Sequence, residues 1–487
     1  MRGLAVVPGF NDCHMHILGY GLKLAAADLS PEAGVRDVRT FIAVLQRWAE
    51  ANPDSPWVRG SGYNQNAFPD ALHVPFADLD RASPDRPLVV HHASGHALLA
   101  NSCAMALAGV GAGTPDPQGG EIVRDSRGVP TGVFLENAMS LIMNAVPKPS
   151  RAQMTDAICR AASALSSVGV TSASDMGVEQ DEAEIGAYRD AVGRGVPLRM
   201  TLSPEAASFG APGSLPLRAE LEHDWRMGNG GGDTPGSVRL GPLKLYADGA
   251  LTTRSAALRE PFTDTGTTGL LLHEPDVLRA YIRIGHDRGW QMAVHAIGDR
   301  AVEIVVRACE DLPDAPARSR RHRIEHCMLL DAGLIQRIRR AGIVAVMQPE
   351  FIARLGDAYV LGLGFERAAT LNPVGQLLRA GVPVAFSSDC PVVPGAPLDG
   401  IRAAVLRTTP SGAVLGAAER ITAAEALIAY TSGAAYAVCD EETTGTLAGG
   451  MRADFAVLNS RPDEPGPTQV VATVFGGDVV YGADNLL

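Results

Sequence analysis

No apolar run in these 487 residues approaches the roughly 20 that a membrane helix needs, so no membrane partner is expected. Aromatic residues are scarce, at 5% of the chain, although 46% of it is hydrophobic. The core is therefore expected to be aliphatic and large, and more than one domain is plausible. No basic stripe is present, and the net charge is −12 with neutral histidine, which argues against a nucleic-acid partner. The short cluster Arg318 to Arg323 mixes with His322 and reads as a helix end running into a strand. No Cys-x-x-Cys pair occurs. The seven cysteines (Cys13, Cys103, Cys159, Cys309, Cys327, Cys390 and Cys439) are scattered and odd in number, which disfavours a disulfide framework or a zinc knuckle. That usage suits a reducing compartment. No charged-then-apolar leader opens the chain, so a soluble, cytoplasmic protein is expected.

What the chain does have is ligand-type residues at the ends of apolar stretches. The first is Pro8-Gly-Phe-Asn-Asp-Cys-His-Met-His16. In a strand, residues i and i+2 share a face, so His14 and His16 can present two imidazoles to one metal ion, with Asp12 on the same side. Four further segments follow: Gly241-Pro-Leu-Lys-Leu-Tyr-Ala-Asp-Gly249, Met292-Ala-Val-His295, Arg321-His-Arg-Ile-Glu-His326 and Val384-Ala-Phe-Ser-Ser-Asp389. The order is His-x-His, Lys, His, His, Asp along alternating strands and helices. A (β/α)8 barrel places catalytic groups in this way, at successive strand ends on one face.

The pattern predicts eight strands: Leu4-Phe10, Leu88-His92, Val170-Ser174, Val238-Tyr246, Gln291-His295, Arg321-His326, Ile343-Gln348 and Val384-Ser388. Helical periodicity marks Thr40-Ala51, Ala152-Val168, Glu182-Val192, Asp299-Glu310, Asp331-Ala341 and Asp399-Leu406. Thr422-Ala-Ala-Glu425 reads as a capping box opening another helix. Residues 97–150 and 205–236 read as insertions that shape a pocket or lid. From about 440 the chain turns to short strands, Phe455-Leu458, Val470-Phe475 and Val479-Tyr481. The domain expectation is a barrel over 1–438 and a small β-domain over 439–487.

These five motifs together resemble the amidohydrolase superfamily, and most of all the branch that includes N-substituted formamide deformylase. The resemblance runs from residue 4 to about residue 482. It implies an α/β fold, a (β/α)8 TIM barrel with a small β-sandwich. In the family, half of that sandwich precedes the first barrel strand. Here the His-x-His motif lies almost at Met1, so the sandwich is expected to be N-terminally truncated, with a natural start upstream and a less stable 487-residue form. The resemblance further implies that His14, His16 and Asp389 bind the more buried of two divalent metals, zinc foremost. His295 and His326 would bind the outer one. Lys244, carboxylated by carbon dioxide, would bridge them, and Asp389 would also serve as general base.

A Lys244–Asp248 pair is the plain structural alternative for the lysine. His322 is expected to be a buried, hydrogen-bonded histidine, and Asp299 to cap a helix. His96, Arg254 and Tyr63 are the substrate-contact candidates, although Arg254 could equally tie down its loop. The expected activity is hydrolysis of a non-peptide C–N bond of a small molecule, possible in a homo-oligomer. The alternatives are an ester, lactone or carbamate hydrolase, a mononuclear deaminase, or an inactive scaffold.

Overall fold

The computed structural model describes the chain except residues 1–3, 71, 94–96, 118, 180, 228–236, 314–319, 465–466 and 486–487. It divides into two compact units, one of Met1–Tyr20 with Met154–Leu487, the other of Gly21–Gln153. The first unit is an α/β, TIM-barrel-like arrangement. Its strands are β1 (Phe10–Met15), β2 (Val170–Val178), β3 (Arg199–Pro204), β4 (Leu243–Tyr246), β5 (Met292–Ala296), β6 (Arg323–His326), β7 (Val344–Met347) and β8 (Val384–Phe386). They form two parallel sheets. One runs β1-β2-β3 and ends on the short strand Val238–Leu240; the other runs β4 to β8 in order. Backbone bonds join the sheets at both seams. At one, Asp389 N donates to His14 O at 2.8 Å and His16 N to Cys390 O at 2.8 Å. At the other, Gly241 N donates to Leu202 O at 2.7 Å, and Glu205 bridges Lys244.

Alternation along the strands separates core from site. Met200, Leu202, Leu243, Leu245, Met292 and Val294 join one apolar cluster with the helix residues Ala161, Leu278, Val305 and Ile338. Each fully buried aliphatic side chain of this kind contributes about 1.5–3 kcal/mol. The alternate positions, Thr201, Ser203, Lys244 and His295, therefore face the other way. Helix starts follow the expected chemistry. Asp181 caps Glu182–Gly193 and Asp331 caps Ala332–Ala341, while Thr422 and Glu425 close a capping box. Asp299 is not a cap: Gly298 holds that position, and the Asp299 carboxylate accepts from Arg259 N at 2.9 Å.

Several expectations are corrected. The run Leu4 to Phe10 is not one strand. Ala5–Pro8 pairs antiparallel with Phe455–Leu458, and a separate strand starts at Phe10. The break falls at Pro8-Gly9, where a Cβ on Gly9 would lie 2.2 Å from the Thr171 hydroxyl. The tail is therefore not without an N-terminal partner: its sheet runs Ala5–Pro8, Phe455–Leu458, Val470–Phe475, Asp478–Tyr481. Val6, Val479 and Tyr481 stay exposed on it.

Leu88–His92 does not lie beside β1, whose sheet neighbour is β2. It belongs to the second unit, paired parallel with Val58–Tyr63 and antiparallel with Ala97–Ala100. That sheet has six strands, continuing through Pro130–Glu136 and Gly120–Arg124. The expected insertion 97–150 is thus part of a larger unit spanning 21–153. Its place among the parallel strands is filled by Arg199–Pro204, a strand that periodicity did not single out. The stretch 205–236 holds the helix Arg218–Met227.

Candidate metal centre

Six side chains come from four strands, β1, β4, β5 and β6, and from the residues just after β1 and β8. His14 Nε2 lies 3.4 Å from Asp389 Oδ1, and His16 Nε2 lies 3.3 Å from the same oxygen. Ligand atoms of these three residues all fall within 4.8 Å of one another. Lys244 Nζ stands 3.5 Å from His14 Nε2. The His326 ring is centred 4.9 Å from that of His14 and 4.6 Å from that of His295. The structure thus gathers all six residues expected as ligands. Nitrogen and carboxylate donors at this separation suit a divalent ion.

The supports around these side chains fix which atoms are free. His14 Nδ1 meets Glu325 Oε2 at 2.6 Å, and Glu325 is gripped by Arg323 at 2.5 and 2.9 Å. With its Nδ1 held by the carboxylate, His14 turns its Nε2 to the site. His326 Nδ1 meets Gln348 Oε1 at 2.8 Å, and Gln348 in turn donates to Ser387 at 2.9 Å. Asp12 is not a ligand; it accepts from Ser388 N at 3.0 Å and from the Ser388 hydroxyl. It therefore anchors the turn that carries Asp389. Both His326 and Asp389 have positive φ, 71° and 59°, a backbone conformation that L-residues rarely adopt outside functional sites.

Electrostatics follow burial. Burial pushes Lys244 down to about 8 and His295 down to about 3, because a charged form is poorly solvated there. Burial likewise holds His326 well below its usual value. For Asp389 burial acts upward, yet its bonds to His14 and His16 win and hold the carboxylate well below the usual range. Glu325 behaves alike: burial raises it, while Arg323 and His14 pull it lower still.

The remaining expectations divide. Asp248 does not pair with Lys244; its carboxylate accepts from the backbone nitrogens of Ala257, Ile297 and Gly298 at 2.8–3.0 Å. Arg254 ties its own loop, through Asp264 at 2.7 Å and the carbonyls of Leu251 and Ala358. Tyr63 is buried in the second unit, its hydroxyl 2.6 Å from His73 Nδ1. His96 lies outside the described residues. His322 is buried and hydrogen-bonded, as expected. Sequence reading gave no role to Glu325, Arg323 or Gln348. The available signal was a charged Arg-x-Glu pair inside an apolar strand, which requires internal partners.

The comparisons agree with this geometry. YtcJ of Bacillus subtilis (strain 168), whose name calls it an amidohydrolase, is 34% identical over 497 residues, covering 99% of this chain and 90% of that protein. N-substituted formamide deformylase of Arthrobacter pascens is 30% identical over 481 residues, covering 95% and 84%. The crystal structure of an uncharacterized metal-dependent hydrolase from Pyrococcus furiosus superposes with a TM-score of 0.73 at 26% identity, covering 95% of this chain and 89% of that one. The model of the amidohydrolase family matches residues 1–481, and the chain belongs to that family.

Proposed function

We propose that this chain hydrolyses a non-peptide carbon–nitrogen bond of a small amide with the help of two divalent metal ions, zinc foremost. The observation that carries the reading is the convergence of His14, His16, Lys244, His295, His326 and Asp389 on one face. We read the two parallel sheets as one eight-stranded ring that holds this face. His14, His16 and Asp389 would hold one ion, His295 and His326 the other. Lys244 would bridge them after its neutral amine adds to carbon dioxide, forming a carbamate and releasing a proton. Burial favours that neutral amine. Bound metal would supply Lewis acidity toward the carbonyl and a lowered pKa for water. Asp389 shows one oxygen to both histidines; as a carboxylate it can also accept the proton of the attacking water and return it to the leaving amine. The deformylase relative acts, by its name, on N-substituted formamides. Small N-formyl and N-acyl amines are therefore the first class to assay.

Elemental analysis after loading with zinc and bicarbonate should give two metals per chain, with turnover of at least one such amide. Asp389→Asn should keep most of the metal and lose turnover by several orders of magnitude. Absence of stoichiometric metal would overturn the reading. The compact His14–His16–Asp389 set also supports a single-ion site, and one metal per chain would select that form.

A further inference from the structure

Tyr246 lies two residues beyond Lys244 on the same strand face. Its ring is centred 5.6 Å from that of His295, and Lys244 Nζ sits 4.7 Å from its centroid. The ring is thus packed against two of the proposed ligands. Its hydroxyl makes no hydrogen bond to any described residue, and the side chain is only half-buried. Room for that hydroxyl is left by Gly177, at the end of β2. A Cβ there would lie 2.9 Å from the Tyr246 oxygen, and Gly177 has a φ of +95°. The phenolic hydroxyl is an O–H donor. An unpaired donor beside a site for carbonyl chemistry, held by packing rather than by hydrogen bonds, is placed to serve the substrate.

We propose that Tyr246 is a catalytic residue whose hydroxyl donates a hydrogen bond to the substrate's carbonyl oxygen and holds it as negative charge develops there. The phenol keeps its proton throughout. This rests on the amide-hydrolase reading above, and it adds a contact to the chain's own side chain. Loss of one such donor costs about 10²–10³ in rate, whereas a ground-state hydrogen bond is worth about tenfold in affinity.

The test compares zinc-loaded wild type with Tyr246→Phe, which keeps the ring and its packing. Three quantities are read: kcat/KM on the best amide of the N-formyl and N-acyl series, zinc content with melting temperature, and the Kd of acetohydroxamate by calorimetry. Acetohydroxamate carries a carbonyl and needs no turnover. The expected result is a fall of about 100-fold in kcat/KM and about tenfold in acetohydroxamate affinity, with zinc content and melting temperature unchanged. Values within threefold of wild type would overturn the assignment. So would a loss that tracks zinc content, since the ring would then serve the ligands alone. A wild type that cleaves no amide, yet loses tenfold in acetohydroxamate affinity on Tyr246→Phe, would sink the amide reading and leave Tyr246 in place. A wild type that binds no acetohydroxamate overturns both.

Discussion

At the scale of single residues, the site depends on how His14 is held. Its Nδ1 is fixed by a carboxylate that is itself fixed by a buried guanidinium. Replacing Glu325 by Gln removes the charge from both contacts. Arg323, which also donates to Cys13 O at 2.7 Å, would be left buried without a counter-charge. Breaking a buried pair in this way costs about 3–5 kcal/mol, and loss of a carboxylate behind a metal-binding histidine costs about 10–100-fold in metal affinity. Glu325→Gln is accordingly expected to lower zinc affinity by that factor in a chelator competition and to lower the unfolding midpoint. An affinity within twofold of wild type would mean that His14 needs no carboxylate. The proposed ligands were legible in the sequence because a His-x-His pair and strand-end residues advertise themselves. Glu325 was not, because its partner lies 311 residues away.

At the scale of elements, the end of β6 opposite its ligand holds a second polar pair. His322 Nδ1 accepts from Met292 N at 3.0 Å, and its Nε2 meets His286 Nδ1 at 2.9 Å. Since Nδ1 is an acceptor, Nε2 carries the proton, and the ring must stay neutral to keep both bonds. Burial, then His286 and Arg320, push His322 down to about 3. An unfolded histidine titrates near 6.5. The folded value is depressed, so the unfolded chain binds the proton first. The stabilisation is complete above about pH 6.5 and is lost progressively as pH falls toward 3. His322→Gln offers the same nitrogen and oxygen functions without a titration. Denaturant midpoints measured at pH 7.5, 6 and 5 should fall less steeply for this variant than for wild type. Equal slopes would remove His322 from the acid limb.

Two elements escaped the sequence for physical reasons. Arg199-Met-Thr-Leu-Ser-Pro204 alternates polar and apolar residues, but its arginine and proline mask the strand signal. Leu88–His92 has strand composition, yet composition carries no address, and its partners assign it to another sheet.

At the scale of the whole molecule, the tail sheet is tied to the strands that carry the site by one buried ion pair. Asp454 accepts from Arg199 Nε at 2.7 Å and Nη2 at 3.1 Å, while its backbone oxygen accepts from Gly9 N at 2.9 Å. Asp454 Oδ1 also accepts from Gly476 N at 2.7 Å, and the Arg199 guanidinium lies 4.6 Å over the Phe475 ring. One residue thus joins β3, the start of the chain and the tail hairpin. Asp454→Ala leaves Arg199 buried and unpaired, at a cost of about 3–5 kcal/mol. The expected outcome is a drop of several degrees in melting temperature, with zinc per folded chain unchanged. A melting temperature within one degree of wild type would mean that the tail contributes little. Among the described residues no helix is long and apolar enough to cross a membrane.

The chemistry of the site was determined by the sequence itself. Two histidines at i and i+2, and a lysine, two histidines and an aspartate each ending an apolar run, define a donor set and its order along the chain, because strand geometry alone dictates where such residues point. Tertiary structure decided the rest: which strands are neighbours, that residues 21–153 form a unit of their own, that Ala5–Pro8 completes the tail sheet, and that Glu325, Gln348 and Asp12 hold the proposed ligands and the turn that carries Asp389. Periodicity reports which face of a strand is buried. It carries no information on what meets that face across hundreds of residues, where pairing is set by long-range packing and by the need of buried charges for partners.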